Sequence, residues 1–183
     1  MNTDISYSAD GTLEVLTLAQ AKKQLRIESD FDDENDLIQS YIDAAVDLSE
    51  KFIGGHILPK IMTVKADEFA NPLVFEAFPL KEVTSVKYFP KDGTSEATML
   101  TTDYVLTKDS EKVFRLRFKN TLPETAVQYD AVTYSIKVGM TAVPKGIIQA
   151  VKLMVSDMYE RREDRAETVS TVAQSLLRAY KKY

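Results

Sequence analysis

An α+β fold, with helices from the N- and C-terminal regions packed together and a central antiparallel β insert, follows from three features of the chain. Residues 147–162, IIQAVKLMVSDMYERR, place Ile147, Ile148, Val151, Met154, Val155, Met158 and Tyr159 on one stripe of a 3.6-residue helix. A second stripe, over about residues 34–53, carries Leu37, Ile38, Tyr41, Ala45, Leu48 and Phe52. Between them, residues 57–139 break into short alternating runs with turn residues every ten or so positions, the pattern of a small antiparallel sheet or sandwich. Each helix has one apolar face that needs a cover, and the two faces cover each other.

Taken in order, residues 1–16 read as an irregular lead-in. Thr17 opens a short helix, LAQAKKQLRI, whose Thr17 and Gln20 have capping-box spacing and whose apolar side is Leu18, Ala21 and Leu25. The run ESDFDDEND, residues 28–36, holds six acids in nine positions. Asp32 or Asp33 is a suitable N-cap for the next helix, because acids favour the positive end of the helix dipole. On that helix Gln39, Asp43, Asp47 and Glu50 face away from the stripe, and Gly54-Gly55 stops it, since glycine takes the left-handed conformation without strain.

In the β-rich stretch Met62, Val64 and Ala66 alternate with Thr63, Lys65 and Asp67. Val83–Tyr88 leads into Pro90-Lys-Asp-Gly93, a turn with proline and glycine suitably placed. Tyr104–Leu106, Val113–Phe118 and Val127–Val138 continue the pattern, the last with Val132, Tyr134, Ile136 and Val138 on one face. Pro144 then precedes the 146–163 helix, where a first turn tolerates it. That helix ends in the charged run ERREDR, residues 160–165. A last helix from about Ser170 carries Val172, Leu176, Leu177 and Tyr180 and ends in the basic, acid-free LLRAYKKY.

Composition narrows the chemistry. There is no cysteine, hence no disulfide, thiolate or cysteine zinc site. His56 is the single histidine, so a histidine metal cluster has no material; no Ser-His-Asp arrangement is expected on it, and it reads as structural or solvated. A calcium loop counted from Asp30 would need Gly and Glu at its sixth and twelfth places; Asn35 and Tyr41 stand there. No glycine-rich phosphate loop or nucleophile elbow occurs. Two of the 28 acids could serve a paired-carboxylate hydrolase, but no spacing singles out a pair. Arg115 and Arg117, alternating with Phe114, Leu116 and Phe118, fit a wet strand face better than a stacking surface for nucleic acid. We therefore expect no catalytic residues, no metal and no cofactor. No apolar run reaches the 18 residues or so that a membrane span needs. MNTDISYSADG shows neither the basic region nor the apolar core of a secretory signal.

The net charge of −5 argues against gripping nucleic acid through its phosphates. Its distribution is uneven. Residues 1–50 hold twelve acids and three bases, net −9; the remainder is net +4. Opposite patches attract and orient copies of a chain. Asp43 and Asp47 on the acidic helix are one candidate surface, and Leu177, Arg178, Tyr180, Lys181 and Lys182 in the basic tail are the other, since aromatics and arginine are enriched at interface centres.

The order of segments is more telling than any one of them: TLAQAKKQLRI, DDENDLIQSYIDAAVDLSEKFIG, FPLKEVTSVKYFPKDGT, TDYVL, YSIKVGM, VPKGIIQAVKLMVSDMYERRED, LLRAYKK. Over about residues 16–183 this resembles the tailed-phage head–tail connector (head-completion or adaptor) family. The chain departs from it in having Lys181-Lys182 where an arginine is usual and Met140 in place of an aromatic after Gly139. The length fits a single domain over 1–183, with 57–139 as its β-rich insert, and the resemblance makes it a connector domain. It also implies a virion-assembly protein that forms a twelvefold ring with itself at the head–tail junction, between the portal protein and a tail or stopper protein. Double-stranded DNA would pass through without specific binding, no membrane would be involved, and the protein would reside in the host cytoplasm before assembly. A portal contact through the C-terminal helix is implied as well. The contrasting reading is a monomeric protein-binding module that never assembles into a ring.

Overall fold

The structure, a computed structural model, describes residues 3–93, 95–161 and 171–181. It is α+β and divides into two compact units. One comprises Thr12–Leu58 and Met140–Tyr183 and contains the helices; the other comprises Met1–Gly11 and Pro59–Gly139 and contains the sheets.

In the helical unit, α1 spans Leu18–Leu25, α2 Asn35–Ile53, α3 Lys145–Glu160 and α4 Thr171–Arg178. The expected capping box is present: Thr17 Oγ1 accepts from the Gln20 backbone N–H, and the Gln20 side chain accepts from that of Thr17. Gly54 stops α2 in the left-handed conformation, with its N–H on the Glu50 carbonyl. Helix α2 packs on α3, and α3 on α4. Small residues line the α2–α3 seam: Ala45 and Ser49 are buried, and the Ser49 hydroxyl donates to the Ala45 carbonyl at 2.7 Å with the Met154 sulfur 3.8 Å away.

Three expectations for this unit are corrected. The buried stripe of α2 is Ile38, Ile42, Ala45, Val46, Ser49 and Ile53, so Leu48 is exposed and Phe52 only half-buried. The helix carries apolar residues on flanking sides, and the α3 contact selects the side with the smallest residues at its centre. Neither Asp32 nor Asp33 caps α2: the N-cap is Glu34, whose side chain makes no capping bond, and Asp32 is engaged elsewhere. Glu50 does not face away either. Its carboxylate accepts from the backbone N–H groups of Ile57 (2.8 Å) and Leu58 (3.3 Å), satisfying donors just past the helix end.

In the β unit every pairing is antiparallel. One sheet has the order β1-β2-β8-β4-β5, with β1 Thr3–Ala9, β2 Lys60–Ala66, β8 Val132–Val138, β4 Leu80–Tyr88 and β5 Ala97–Thr98. The other has the order β3-β7-β6, with β3 Leu73–Glu76, β7 Val113–Phe118 and β6 Tyr104–Lys108. Their inner faces share one core, in which Met62, Val64, Val86, Tyr134 and Ile136 from the first sheet join Phe75, Phe114 and Leu116 from the second. The period-two alternation read in β2 and β8 is what buries these residues. Pro90–Gly93 closes its turn through the Gly93 N–H on the Pro90 carbonyl.

The lead-in is not irregular throughout, since Thr3–Ala9 is a strand paired residue for residue with β2. All seven of its residues are exposed, which is why it lacks the burial pattern that marks a strand in sequence. Val15 and Leu16, also in the lead-in, are buried. The last strand begins at Val132 and not at Val127, whose side chain is fully exposed.

Candidate functional site

Three surfaces stand out, two in the helical unit and one in the β unit.

The acidic run 28–36 folds around a base. Lys22, on the inner side of α1, is 4% exposed. Its ammonium reaches out to donate to the Ser29 carbonyl (3.3 Å) and to Asp32 Oδ1 (3.1 Å). The whole side chain is buried, and its charge is met by these two acceptors. The Asn35 side-chain amide first, and the Lys22 ammonium with it, hold the Asp32 carboxyl below its ordinary value. Beyond this loop Asp43 and Asp47 stand exposed on α2, with Asp43 accepting from the Gln39 side chain at 2.9 Å. Glu34 accepts from the Tyr159 hydroxyl, tying the start of α2 to the last turn of α3.

The second surface is the C-terminal helix. The structure divides the candidate residues there. Leu177 is completely buried among the helices. Tyr180 is half-buried beside Gly146, where a Cβ would come within 2.8 Å of the Tyr180 hydroxyl. The Lys181 ammonium sits 5.1 Å from the centre of the Phe52 ring, within reach of a cation–π contact. Arg178 is exposed. Lys182 lies outside the described residues, as does most of the charged run 160–165. Val172, expected on the apolar side, is exposed, and Ala173 takes the buried place. The tail thus has a home-packed side and an outward side that carries Arg178.

His56 belongs to the end of α2: its Nδ1 lies 3.6 Å from Glu50 Oε2. Among the described residues no group of three or more His, Cys, Asp or Glu side chains is placed to hold a metal ion.

The third surface is not marked by any motif in the sequence. An open groove of about 1030 Å³ is lined by Phe69, Lys91, Leu122 and the segment Glu124–Tyr129, with Asp67 and Glu68 at one side. Its wall is held in place by backbone bonds, Ala126 N–H to Phe89 C=O at 2.8 Å and Lys91 N–H to Glu124 C=O at 3.1 Å. Lys91 Nζ also donates to Glu124 Oε2. Phe69 is fixed between the rings of Tyr88 and Phe118, with centroids 5.3 and 5.4 Å away. On the rim Val127 is fully exposed and Tyr129 is 87% exposed. Scattered apolar residues in a segment without a strong period offer little signal; the one clue is Val127 and Tyr129 set between turn residues.

Among the described residues these surfaces are charged helix faces and an open groove with apolar rim residues. They belong to an α+β protein of two compact units. A family model for phage gp6-like head–tail connector proteins matches residues 15–115, more than half of the chain, and the chain belongs to that family. No curated protein matches it. Among solved structures it is similar to chains from gene transfer agent (GTA) particles. One is from the neck of an empty particle computed with C6 symmetry, at 17% identity, covering 97% of this chain and 96% of that one with a TM-score of 0.70. A second is from the virion of a native particle, at 19% identity, covering 97% and 95%, TM-score 0.69. A third is from the neck of a native particle computed with C12 symmetry, at 17% identity, covering 97% and 96%, TM-score 0.67. At these identities the likeness shows the fold alone. It runs over almost the whole chain, where the family match stops at residue 115.

Proposed function

We propose that copies of this chain form a closed ring at the head–tail junction of a phage-like particle, seated on the portal, receiving a tail or stopper protein on the other side and extending the DNA channel. The observation that carries the reading is membership of the head–tail connector family, with a fold similar to chains solved in particle necks of C6 and C12 symmetry. A head-to-tail ring needs two unlike patches on each copy. The exposed acids Asp43 and Asp47 supply one charged surface, and the exposed Arg178 supplies another. Leu177 and Tyr180 anchor the tail at home, so the portal meets its outward side. A net charge of −5 suits a wall along which duplex DNA slides, because few counterions would be released by binding. The role is structural, without a catalytic step, and the chain waits in the host cytoplasm until a portal is available.

The test is solution mass and electron-microscope images of the purified chain with and without its portal. Rings on the portal are expected. A chain that stays monomeric in both conditions fits the monomeric binding module instead and removes the ring.

A further inference from the structure

The five-stranded sheet has two unfinished edges. At one end, no strand among the described residues pairs with the outer side of β1. At the other, β5 covers only Lys87 and Tyr88 of β4, and Met99 N–H reaches the Val86 carbonyl; the outer side of Leu80–Ser85 has no strand beside it among the described residues. Open edges of this kind invite pairing with another chain, and proteins that do not use them usually cover or shorten them.

The two edges match in direction. β1 is antiparallel to β2, β2 to β8, and β8 to β4, so β1 and β4 run oppositely. Four long strands is an even number. A head-to-tail repeat with the strands along the ring axis therefore brings β1 of one copy antiparallel to β4 of the next, with no break in the alternation.

They also match in side chains. Ile5 and Tyr7 lie opposite Val64 and Met62, so they share the inner face, yet each remains about half exposed. On β4, Leu80 and Val83 lie opposite Val138 and Ile136 and are only partly buried on that same face. Setting Ile5 beside Val83 places Tyr7 near Leu80 and Ser6 near Glu82, and it overlaps nearly the whole open stretch. The bulges at Lys81 and Thr84 interrupt the open edge, so a partner strand must fit one register.

From this geometry we infer that β1 of one copy pairs with the open edge of β4 in a second copy, so that the five-stranded sheets join into a continuous band around the ring. The inference rests on the ring reading and specifies its subunit contact.

Because the chain has no cysteine, a pair of introduced ones reports the contact without background. Ser6→Cys would be combined with Glu82→Cys in one variant and with Thr84→Cys in another, to cover a shift of register, and each assembled on the portal and oxidised. At least one should give a ladder of covalent multimers climbing to the full ring on a non-reducing gel, with Ser6→Cys alone giving none beyond dimer. Ile5→Asp should lower the ring yield about tenfold while the monomer still unfolds cooperatively, with a small drop in midpoint because half of Ile5 is buried. Rings visible in the microscope with no ladder from either pair, or Ile5→Asp rings at normal yield, would overturn the edge contact and leave the ring reading standing. No rings from the unaltered chain with its portal would overturn both.

Discussion

The helical unit covers the ends of its apolar surface more fully than the β unit does, although Leu48 and Val172 stay exposed on it. In the helical unit the ends are covered from within: Leu177 is buried, Tyr180 lies on Gly146, Lys181 stands over Phe52, and Glu50 satisfies the backbone beyond α2. In the β unit Ile5 and Tyr7 of the five-stranded sheet stay half exposed, and Val127 and Tyr129 project from a fixed segment. Apolar surface covered by its own chain stabilises the monomer; apolar surface left open stabilises something only when a partner arrives. Stability and assembly should therefore separate under mutation along the same division.

The largest effect should come from Leu177→Ala. Removing a fully buried leucine costs about 2–5 kcal/mol, read as a lower urea midpoint. The matching change on the other unit, Val127→Ser with Tyr129→Ser, should shift unfolding by no more than about 0.5 kcal/mol, as surface substitutions do. Equal losses from the two would erase the contrast.

Next is the alkaline limb of stability. Burial pushes the Tyr134 hydroxyl up to about 12 from 10.0, with the Ala70 backbone pulling weakly the other way. The folded state therefore holds this proton where the unfolded chain releases it. The contribution is fully present below pH 10 and is lost as the pH rises through about 12, amounting to roughly 2–3 kcal/mol at most. Denaturant titrations from pH 9 to 11.5 should show the decline, and Tyr134→Phe should flatten it. An unchanged slope in that variant would assign the loss to other groups.

How far such features can be read in advance depends on whether burial writes a period into the chain. The capping box at Thr17, the stop at Gly54, the α3 stripe and the alternation in β2 and β8 are legible because one residue type answers one local demand. The stripe of α2 misleads because Leu37, Tyr41, Leu48 and Phe52 compete with Ile42, Val46 and Ile53, and buried Ser49 disguises the true seam. β1 escapes notice because a fully exposed edge strand has no buried face to betray it. β3 escapes because LVFE is only four residues long and stands between Pro72 and Pro79. Among the interface candidates, charge marks Asp43, Asp47 and Arg178 as exposed, whereas hydrophobicity alone does not say that Leu177 joins its own core.

Smaller effects should come from the Gly146–Tyr180 contact. In Gly146→Ala the new methyl meets the far end of a flexible side chain, so Tyr180 should swing outward. The gain in helix propensity, up to about 1 kcal/mol, and the lost packing should nearly cancel. Adding Tyr180→Ala should remove the clash, so the double variant is more stable than the sum of the singles; strict additivity would mean the two residues do not touch. The smallest effect belongs to Arg178→Glu. It should leave unfolding within about 0.5 kcal/mol while weakening portal association, and a wild-type affinity would take Arg178 out of the docking surface.

A connecting role is tested most directly by particles assembled without this chain. Heads should form with their portals in place and tails should form separately, with few joined; restoring the chain should restore joined particles. Normally tailed particles in its absence, counted by electron microscopy, would contradict a connecting role.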